Sequence, residues 1–283
     1  MLAKQAGGAR HKAHRLVVLT PLAVLSCVPV LPPRPALLPT LPLYIEGQAV
    51  GDAILDTGGG YELILKDSFG LEPFEEVDVL AFGGLETVEL TRGFRYQVGG
   101  IEQTANVALI GVSTCNCNGV GFHFFRKAQA VLAISFDDGA IQFVGAAPED
   151  GIHLPFAAPP PSLPNFDSAF LVVDVESAGR EQKLLALLDT GTNGTFLRRG
   201  LFASRSGPFL RDRLDARVTR PELGTVAVNV GLYDTAGLPD MIVGTDVMRA
   251  WGSRWYFTYH ARGGSVTVFP TVVAGAPTRS SFD

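Results

Sequence analysis

The sequence has little charge, and it has no long basic segment beyond its first residues. Only 18% of its 283 residues are charged, compared with about 25% in typical globular proteins, which argues against disorder, long exposed helices and coiled coils. The net charge is -5, and no cluster of Lys and Arg follows residue 15, so a nucleic-acid backbone would find no basic surface. We therefore expect a buried core and no nucleic-acid partner.

The chain also lacks an uninterrupted apolar run long enough for a spanning helix. Its longest run extends at most over 16–31 and is broken by Pro21 and Pro29, whereas a spanning helix needs ~18 uninterrupted residues. The run follows a segment, 1–15, that contains Lys and Arg but no acidic residue. A basic segment followed by a short apolar run is typical of a secretory signal peptide. We therefore predict a signal peptide over 1–26 and an exported protein.

The end of this signal allows two interpretations. The residues Val24, Leu25, Ser26 and Cys27 resemble a bacterial lipobox, in which the cysteine receives a lipid after cleavage. Plain cleavage near Ser26 fits equally well, since both processes use a small residue before the cut. The predicted location is the periplasm, or the bacterial envelope with membrane attachment through lipidated Cys27.

Cysteines are scarce, with three in the whole chain. If Cys27 is lipidated or removed, Cys115 and Cys117 remain. One residue separates them, so a bridge between them would close a very tight ring, and we expect either thiols or a strained disulfide. A metal site that combines them with His123 is a weaker alternative, because the spacing matches no zinc pattern. We expect no metal and no cofactor.

The rest of the chain is predicted to be mainly β. From Pro42 onward, short runs of β-forming residues are separated by Gly and Pro, which is the pattern of strands joined by tight turns. Residues 151–165 contain the segment HLPFAAPPPSLPN. A proline-rich segment of this kind favours an extended, semi-rigid linker, and the β runs resume after it.

The sequence on either side of this linker repeats. Residues 53–58 (AILDTG) match residues 186–191 (ALLDTG), and near the end of each half Val120 and Gly121 match Val243 and Gly244. Such a repeat predicts two similar lobes that build one core. The predicted organisation is a signal peptide (1–26), a Pro-rich linker (27–40), a first lobe (41–150), a second linker (151–165), a second lobe (166–275) and a tail (276–283).

The two Asp-Thr-Gly motifs, each preceded by two aliphatic residues, resemble those of the aspartic protease family, and the short lobes are similar to retropepsin-like members. The resemblance covers about residues 41–275. It implies a bilobal acid-protease fold, two β-barrel-like lobes with a cleft between them, and an endopeptidase without a metal or covalent intermediate. In that family two adjacent carboxylates share a proton and activate a water molecule. The resemblance assigns these roles to Asp56 and Asp189.

The same resemblance assigns supporting roles within each motif. Thr57 and Thr190 would each form a hydrogen bond to the opposite loop, and Gly58 and Gly191 would let backbone amides approach the carboxylates. The alternative for each Asp is an ordinary Asx turn after a strand. A phosphoryl-acceptor Asp is a further alternative, but the chain lacks the expected Lys and any doubly wound α/β pattern.

The two motifs differ in the residue that follows them. Thr192 follows the second motif and could donate a hydrogen bond to Asp189, whereas Gly59 follows the first and has no side chain. This predicts that Asp189 ionises more readily than Asp56. The segment Gly58-Gly59-Gly60 also suggests a soft first loop, so the alternative function is a catalytically weak or inactive module that binds peptides or acts in the envelope.

Two further features of the protease fold have candidates. An aliphatic-aliphatic-Gly closing signature is expected beneath each loop, and Val243 with Gly244 supplies it in the second half. In the first half Gly111 and Gly121 compete, and the following residues favour Gly121. A flap is predicted at Phe82, Gly83, Gly84 and Leu85, with a plain surface hairpin as the alternative.

The expected partner is an extended peptide or unfolded protein, bound along the cleft by strand addition. We expect the protein to be a monomer. Residues 204–223, at the position in the second half that corresponds to the flap candidate, are polar and rich in Arg and are predicted to form a loop or a helix on the cleft rim.

Overall fold

The computed structural model describes residues 38–81, 84–112, 116–161, 163, 168–202, 213–234, 238–260 and 263–271. These residues form 20 strands and two short helices, so the prediction of a mainly β protein is confirmed. Among the described residues, no helix is both long and apolar enough to cross a membrane.

The first half of the chain forms a nine-stranded sheet in the order β4-β5-β8-β3-β9-β2-β1-β6-β7. Most of its strand pairs are antiparallel, but β2 and β9 are parallel, as are β3 and β8. The strands are β1 (Thr40–Ile45), β2 (Gln48–Leu55), β3 (Leu63–Leu65), β4 (Glu75–Ala81), β5 (Gly84–Thr91), β6 (Arg95–Val98), β7 (Ile101–Thr104), β8 (Ala108–Ile110) and β9 (Asn118–Val120).

The second half contains a closed barrel of six strands in the order β13-β14-β18-β15-β17-β16. Pairing between β13 and β16 closes the barrel, which leaves none of these strands with a free edge. The strands are β13 (Phe170–Ser177), β14 (Arg180–Leu188), β15 (Phe196–Arg198), β16 (Arg213–Arg220), β17 (Gly224–Tyr233) and β18 (Met241–Val243).

A five-stranded sheet joins the two halves in the order β11-β10-β19-β20-β12. Its central pair combines β10 of the first half with β19 of the second, so neither half completes this sheet alone. The strands are β10 (Val131–Ser135), β11 (Ile141–Val144), β12 (Ile152–Pro155), β19 (Gly252–Tyr259) and β20 (Gly264–Pro270), and the helices are α1 (Phe122–Ala128) and α2 (Thr245–Trp251).

The segment expected to be a linker, 151–165, begins instead as part of this sheet. Strand β12 pairs with β20 from Ile152 to Pro155, and Leu154 is buried in the main core. Proline is tolerated because β12 is an edge strand, where a missing backbone donor leaves no broken ladder. Burial of apolar side chains therefore outweighs the proline content in these four residues.

The repeat appears in the structure as the same local arrangement around each motif. Strand β2 runs from an exposed start to a buried end at Leu55 and pairs in parallel with β9. Strand β14 does the same, ending at buried Leu188 and pairing in parallel with β18. Helix α1 begins after Gly121, and helix α2 begins after Gly244. Each half therefore carries its Asp-Thr-Gly motif from a surface strand into the core.

Candidate active site

Both motif aspartates lie at the buried ends of equivalent strands. Asp56 is 1% exposed and Asp189 is 0% exposed. The backbone N–H of Asp56 donates to the carbonyl of Val120 at 2.9 Å, and that of Asp189 donates to the carbonyl of Val243 at 2.9 Å. The parallel strand beside each motif therefore fixes where the acidic loop leaves its strand.

The two motif threonines hold the loops against each other by reciprocal hydrogen bonds. The Thr57 hydroxyl donates to the carbonyl of Leu188 at 2.8 Å and accepts from the amide of Thr190 at 3.1 Å. The Thr190 hydroxyl donates to the carbonyl of Leu55 and accepts from the amide of Thr57 at 3.1 Å. Ser168, which sequence reasoning missed, donates to the carbonyl of Thr57 at 2.5 Å. The loops are therefore locked together by buried bonds between residues far apart in the chain.

The motif glycines bring the two carboxyl groups face to face. A Cβ atom at Gly58 would lie 2.7 Å from Cγ of Asp189, and one at Gly191 would lie 2.8 Å from Cγ of Asp56 and 3.1 Å from Oδ1 of Asp189. No side chain fits at those distances. Each glycine amide also donates to the aspartate of its own loop, Gly58 at 2.9 Å and Gly191 at 2.8 Å, in both cases to Oδ1.

The outer oxygens of the two carboxylates have different partners. Oδ2 of Asp56 accepts a hydrogen bond from the hydroxyl of Tyr61 at 2.9 Å. Oδ2 of Asp189 is buried and has no donor among the described residues. The facing carboxyl groups can bond each other only when one holds a proton, because two ionised carboxylates are both acceptors. The pair can therefore share one proton, and the Tyr61 hydroxyl favours a negative charge on Asp56.

The expected hydrogen bond from Thr192 to Asp189 does not form. The Thr192 hydroxyl instead donates to the carbonyl of Gly194 and accepts from its amide, both at 3.3 Å. It closes a small turn within the second loop, a local arrangement that Thr side chains commonly adopt. The second loop thus uses its extra hydroxyl to shape the backbone, and only its backbone amides reach the carboxylate.

The hydrogen bonds around the two carboxyl groups bear on which of them ionises more readily. Burial raises the pKa of Asp56 to about 6, while hydrogen bonds from the facing Asp189, from Tyr61 and from loop amides oppose that rise. Burial and the charge of Asp56 raise the pKa of Asp189 well above its ordinary value. The Tyr61 hydroxyl favours the ionised form of Asp56, which opposes the order expected from Thr192.

The closing glycines occupy equivalent places beneath the two loops. A Cβ atom at Gly121 would lie 2.5 Å from the carbonyl oxygens of Gly59 and Tyr61, and one at Gly244 would lie 2.3 Å from the carbonyl oxygen of Gly194. The competing candidate, Gly111, follows β8 and faces open space. The structure thus places Gly121, and not Gly111, in the position that corresponds to Gly244.

Side chains that the sequence analysis did not identify anchor each loop to the helix that follows. In the first loop the buried Glu62 carboxylate accepts from Lys127 of α1 at 2.9 Å and from the Tyr96 hydroxyl at 2.9 Å. In the second loop Thr195 donates through its hydroxyl to Asp246 of α2 at 2.7 Å. Glu62 and Thr195 each follow the motif aspartate by six residues, and this shared spacing is the signal that could have found them.

Tyr259 is another buried polar residue that the sequence did not single out. It lies in β19 of the sheet that joins the halves and stacks on Phe125, with ring centroids 5.5 Å apart. Burial raises its pKa well above the ordinary value, and the charges of Asp56 and Asp189 raise it further. The Tyr259 hydroxyl has no hydrogen-bond partner among the described residues.

The flap candidate is described only in part. Phe82 and Gly83 lie outside the described residues, Gly84 begins strand β5, and Leu85 is 71% exposed. Strands β4 and β5 pair in antiparallel register at the edge of the nine-stranded sheet, as a hairpin requires. Residues 204–212 of the predicted rim segment also lie outside the described part, while Arg213–Arg220 forms strand β16 and not a loop or helix.

The residues described here contain no group of three or more His, Cys, Asp and Glu side chains that could hold a metal ion. Cys115 lies outside the described residues, and Cys117 is disulfide-bonded. The Cys117 sulfur is therefore not a thiolate ligand, which removes the suggested combination with His123.

Comparison with known proteins gives no family assignment: neither the family models nor the curated proteins contain a match to this chain.

Proposed function

We propose that this chain is an aspartic endopeptidase with a bilobal acid-protease fold, in which Asp56 and Asp189 hydrolyse peptide bonds. The observation that carries the proposal is the pair of buried carboxyl groups. Two threonines hold them face to face, because each forms hydrogen bonds to the backbone of the opposite loop. Burying two adjacent acids costs folding free energy, and a site that retains them needs a chemical use for a shared proton.

In the proposed reaction the two aspartates have different roles. Asp56, the more readily ionised, takes a proton from a water molecule whose oxygen attacks the peptide carbonyl carbon. Asp189, protonated, donates its proton to the carbonyl oxygen, which gives a neutral tetrahedral intermediate. Asp56 then returns its proton to the peptide nitrogen, the carbon–nitrogen bond breaks, and the hydroxyl proton returns to Asp189. The cycle restores both aspartates and needs no metal.

The proposal implies a dependence on pH. Activity requires ionised Asp56 and protonated Asp189, so it should rise as the pH increases through about 6, the pKa of Asp56, and fall as Asp189 loses its proton at higher pH. The substrate would be an extended peptide or unfolded protein that adds as a strand along the cleft, and the proposed setting is the bacterial envelope, as the signal-like residues 1–26 suggest.

The alternative of a weak or inactive binding module was based on the glycine-rich first loop and on the competing closing glycines of the first half. Tyr61 donates a hydrogen bond to Asp56 from this loop, and Gly121 lies beneath it as Gly244 lies beneath the second loop. These two observations favour the enzyme over the binding module.

A cleavage assay tests the proposal. The purified chain is incubated with denatured, fluorescently labelled protein from pH 4 to pH 8, beside Asp56→Asn, Asp189→Asn and the control Asp52→Asn, whose exposed side chain lies on strand β2, just before Asp56. We expect cleavage by the parent and the control, and a loss of about a hundredfold or more in both dyad variants. No cleavage by the parent at any pH, or equal cleavage by the dyad variants, would reject the proposal.

A further inference from the structure

We propose that Tyr61 is a positioning residue for the Asp56 carboxylate. In the first loop, its phenol hydroxyl replaces a hydroxyl on the residue that directly follows the Asp-Thr-Gly motif. The inference rests on the proposed function for its catalytic meaning. It goes beyond that function because Tyr61, a residue outside the Asp-Thr-Gly motif, would determine which aspartate carries the charge.

The Tyr61 ring occupies a space that two glycines leave free. A Cβ atom at Gly59 would lie 2.4 Å from Cε1 of Tyr61 and 2.6 Å from Oδ2 of Asp56. A Cβ atom at Gly119, on strand β9, would lie 2.7 Å from the Tyr61 hydroxyl. Two glycines from separate segments thus clear a slot for one phenol. Gly59 is therefore a steric requirement of the tyrosine.

In the second half, glycine and side-chain-bearing residues are interchanged at the three corresponding positions. Thr192 stands where the first half has Gly59, Gly194 where it has Tyr61, and Ile242 where it has Gly119. Where side chains occupy the loop and the strand beneath it, the aromatic residue is absent. The first half thus has two glycines and a tyrosine where the second half has Thr192, Ile242 and Gly194.

Apolar packing restricts the orientation of the Tyr61 ring. The Tyr61 ring is buried in an apolar cluster that includes Ile64, Val79, Val88 and Leu109, and two of these residues belong to the β4–β5 hairpin. A packed ring has few conformations to lose, so its hydroxyl is directed at Oδ2 before any substrate arrives. A phenol hydroxyl can donate to a carboxylate oxygen, as Tyr61 does to Oδ2 of Asp56 at 2.9 Å.

Removal of the hydroxyl alone tests the assignment. Tyr61→Phe keeps the ring, and the ionisation midpoints of the aspartates are read from the carboxyl carbons by NMR in the full chain labelled with ¹³C-aspartate. We expect the Asp56 midpoint to move upward by about one pH unit, which corresponds to about a tenfold smaller ionised fraction at a given low pH. Tyr96→Phe is the control, since it removes a nearby buried hydroxyl that bonds Glu62 and not Asp56.

A second experiment tests the space that the ring needs. Gly59→Ser would place its Cβ atom 2.4 Å from Cε1 of Tyr61 and 2.6 Å from Oδ2 of Asp56, so it should lower both stability and activity. Tyr61→Ala removes the hydroxyl together with the ring and should raise the Asp56 midpoint as Tyr61→Phe does.

The outcomes separate this inference from the proposed function. An unchanged Asp56 midpoint in Tyr61→Phe would overturn the inference, whether or not peptides are cleaved. A shifted midpoint supports it even in an assay without cleavage, in which case the proposed function fails and the positioning role stands. In an active enzyme, the rise of kcat/KM with pH should shift with the midpoint, and KM should not change.

Discussion

The first acidic loop, 56–62, and the second, 189–195, share one backbone arrangement but give their aspartates different hydrogen-bond partners. Each leaves a buried strand end, contributes a threonine to the reciprocal hydrogen bonds and passes above a closing glycine. They differ at the outer carboxylate oxygen, where Asp56 has the Tyr61 hydroxyl and Asp189 has no donor among the described residues. A repeated fold therefore does not imply a symmetric site, because a single donor beside one carboxylate favours its ionised form.

The largest effect is expected where the two loops are alike, at the closing glycines. Gly121→Ala and Gly244→Ala each place a methyl group within 2.5 Å of backbone oxygens of the loop above. Backbone atoms cannot rotate away as a flexible side chain can, so we expect each variant to lower the free energy of unfolding by about 2 to 4 kcal/mol.

Urea denaturation of both variants would measure this effect. Gly145→Ala is the matched control, because a Cβ atom there meets nothing within 4 Å, and its stability should change by less than about 1 kcal/mol. Tolerance of alanine at either closing glycine would contradict the equivalence of the two halves.

The next effect concerns the reciprocal threonines. Thr57→Val and Thr190→Val keep the shape of the side chain but leave a buried amide and a buried carbonyl in the opposite loop without partners. We expect each to cost about 2 to 3 kcal/mol of unfolding free energy, with similar values because the bonds mirror each other. Thr57→Ser and Thr190→Ser retain the hydroxyl and should recover most of the loss, as thermal unfolding can show. Unequal losses at the two positions would break the symmetry that the bonds imply.

A smaller effect should reveal the unequal charges of the two loops. Burial raises the pKa of both aspartates above their unfolded value of 3.8. Such a group stabilises the fold fully below its unfolded pKa, and that contribution is lost as the pH rises toward the folded-state pKa. The free energy of unfolding should therefore fall between pH 4 and pH 7.

Asp189→Asn replaces the acid with a neutral side chain of similar size. It should reduce the fall in the free energy of unfolding with pH more than Asp56→Asn does. At pH 7.5 we expect Asp189→Asn to be more stable than the parent by about 1 to 2 kcal/mol. Urea unfolding at pH 4 and pH 7.5 measures both differences. A larger gain from Asp56→Asn would mean that Asp189 is the more readily ionised member.

The smallest effect is predicted for Thr192. Its hydroxyl bonds only the backbone of Gly194 within its own loop, at 3.3 Å, so Thr192→Val should cost less than about 1 kcal/mol and leave the Asp189 midpoint unchanged. Carboxyl-carbon NMR provides the measurement. A shift as large as that expected for Asp56 in Tyr61→Phe would show that Thr192 does support Asp189.

Local sequence patterns predicted some features well and others poorly. Short β runs separated by turn residues predicted the mainly β structure, because the residue pattern of a strand can be recognised within a short segment. The same reasoning placed a linker at 151–165, where Ile152–Pro155 forms a strand. That strand exists because β20, more than a hundred residues later in the chain, offers an apolar partner, and no local pattern contains this information.

The recurrence of two aliphatic-Asp-Thr-Gly segments in matching places is visible in the amino-acid sequence. Which aspartate receives a hydroxyl depends on how the folded chain packs. The Tyr61 ring reaches Asp56 only because Gly59 and Gly119 leave space for it, whereas Thr192 turns back to its own loop. Hydrogen bonds depend on direction and free volume in three dimensions, and these quantities arise only when distant strands pack together.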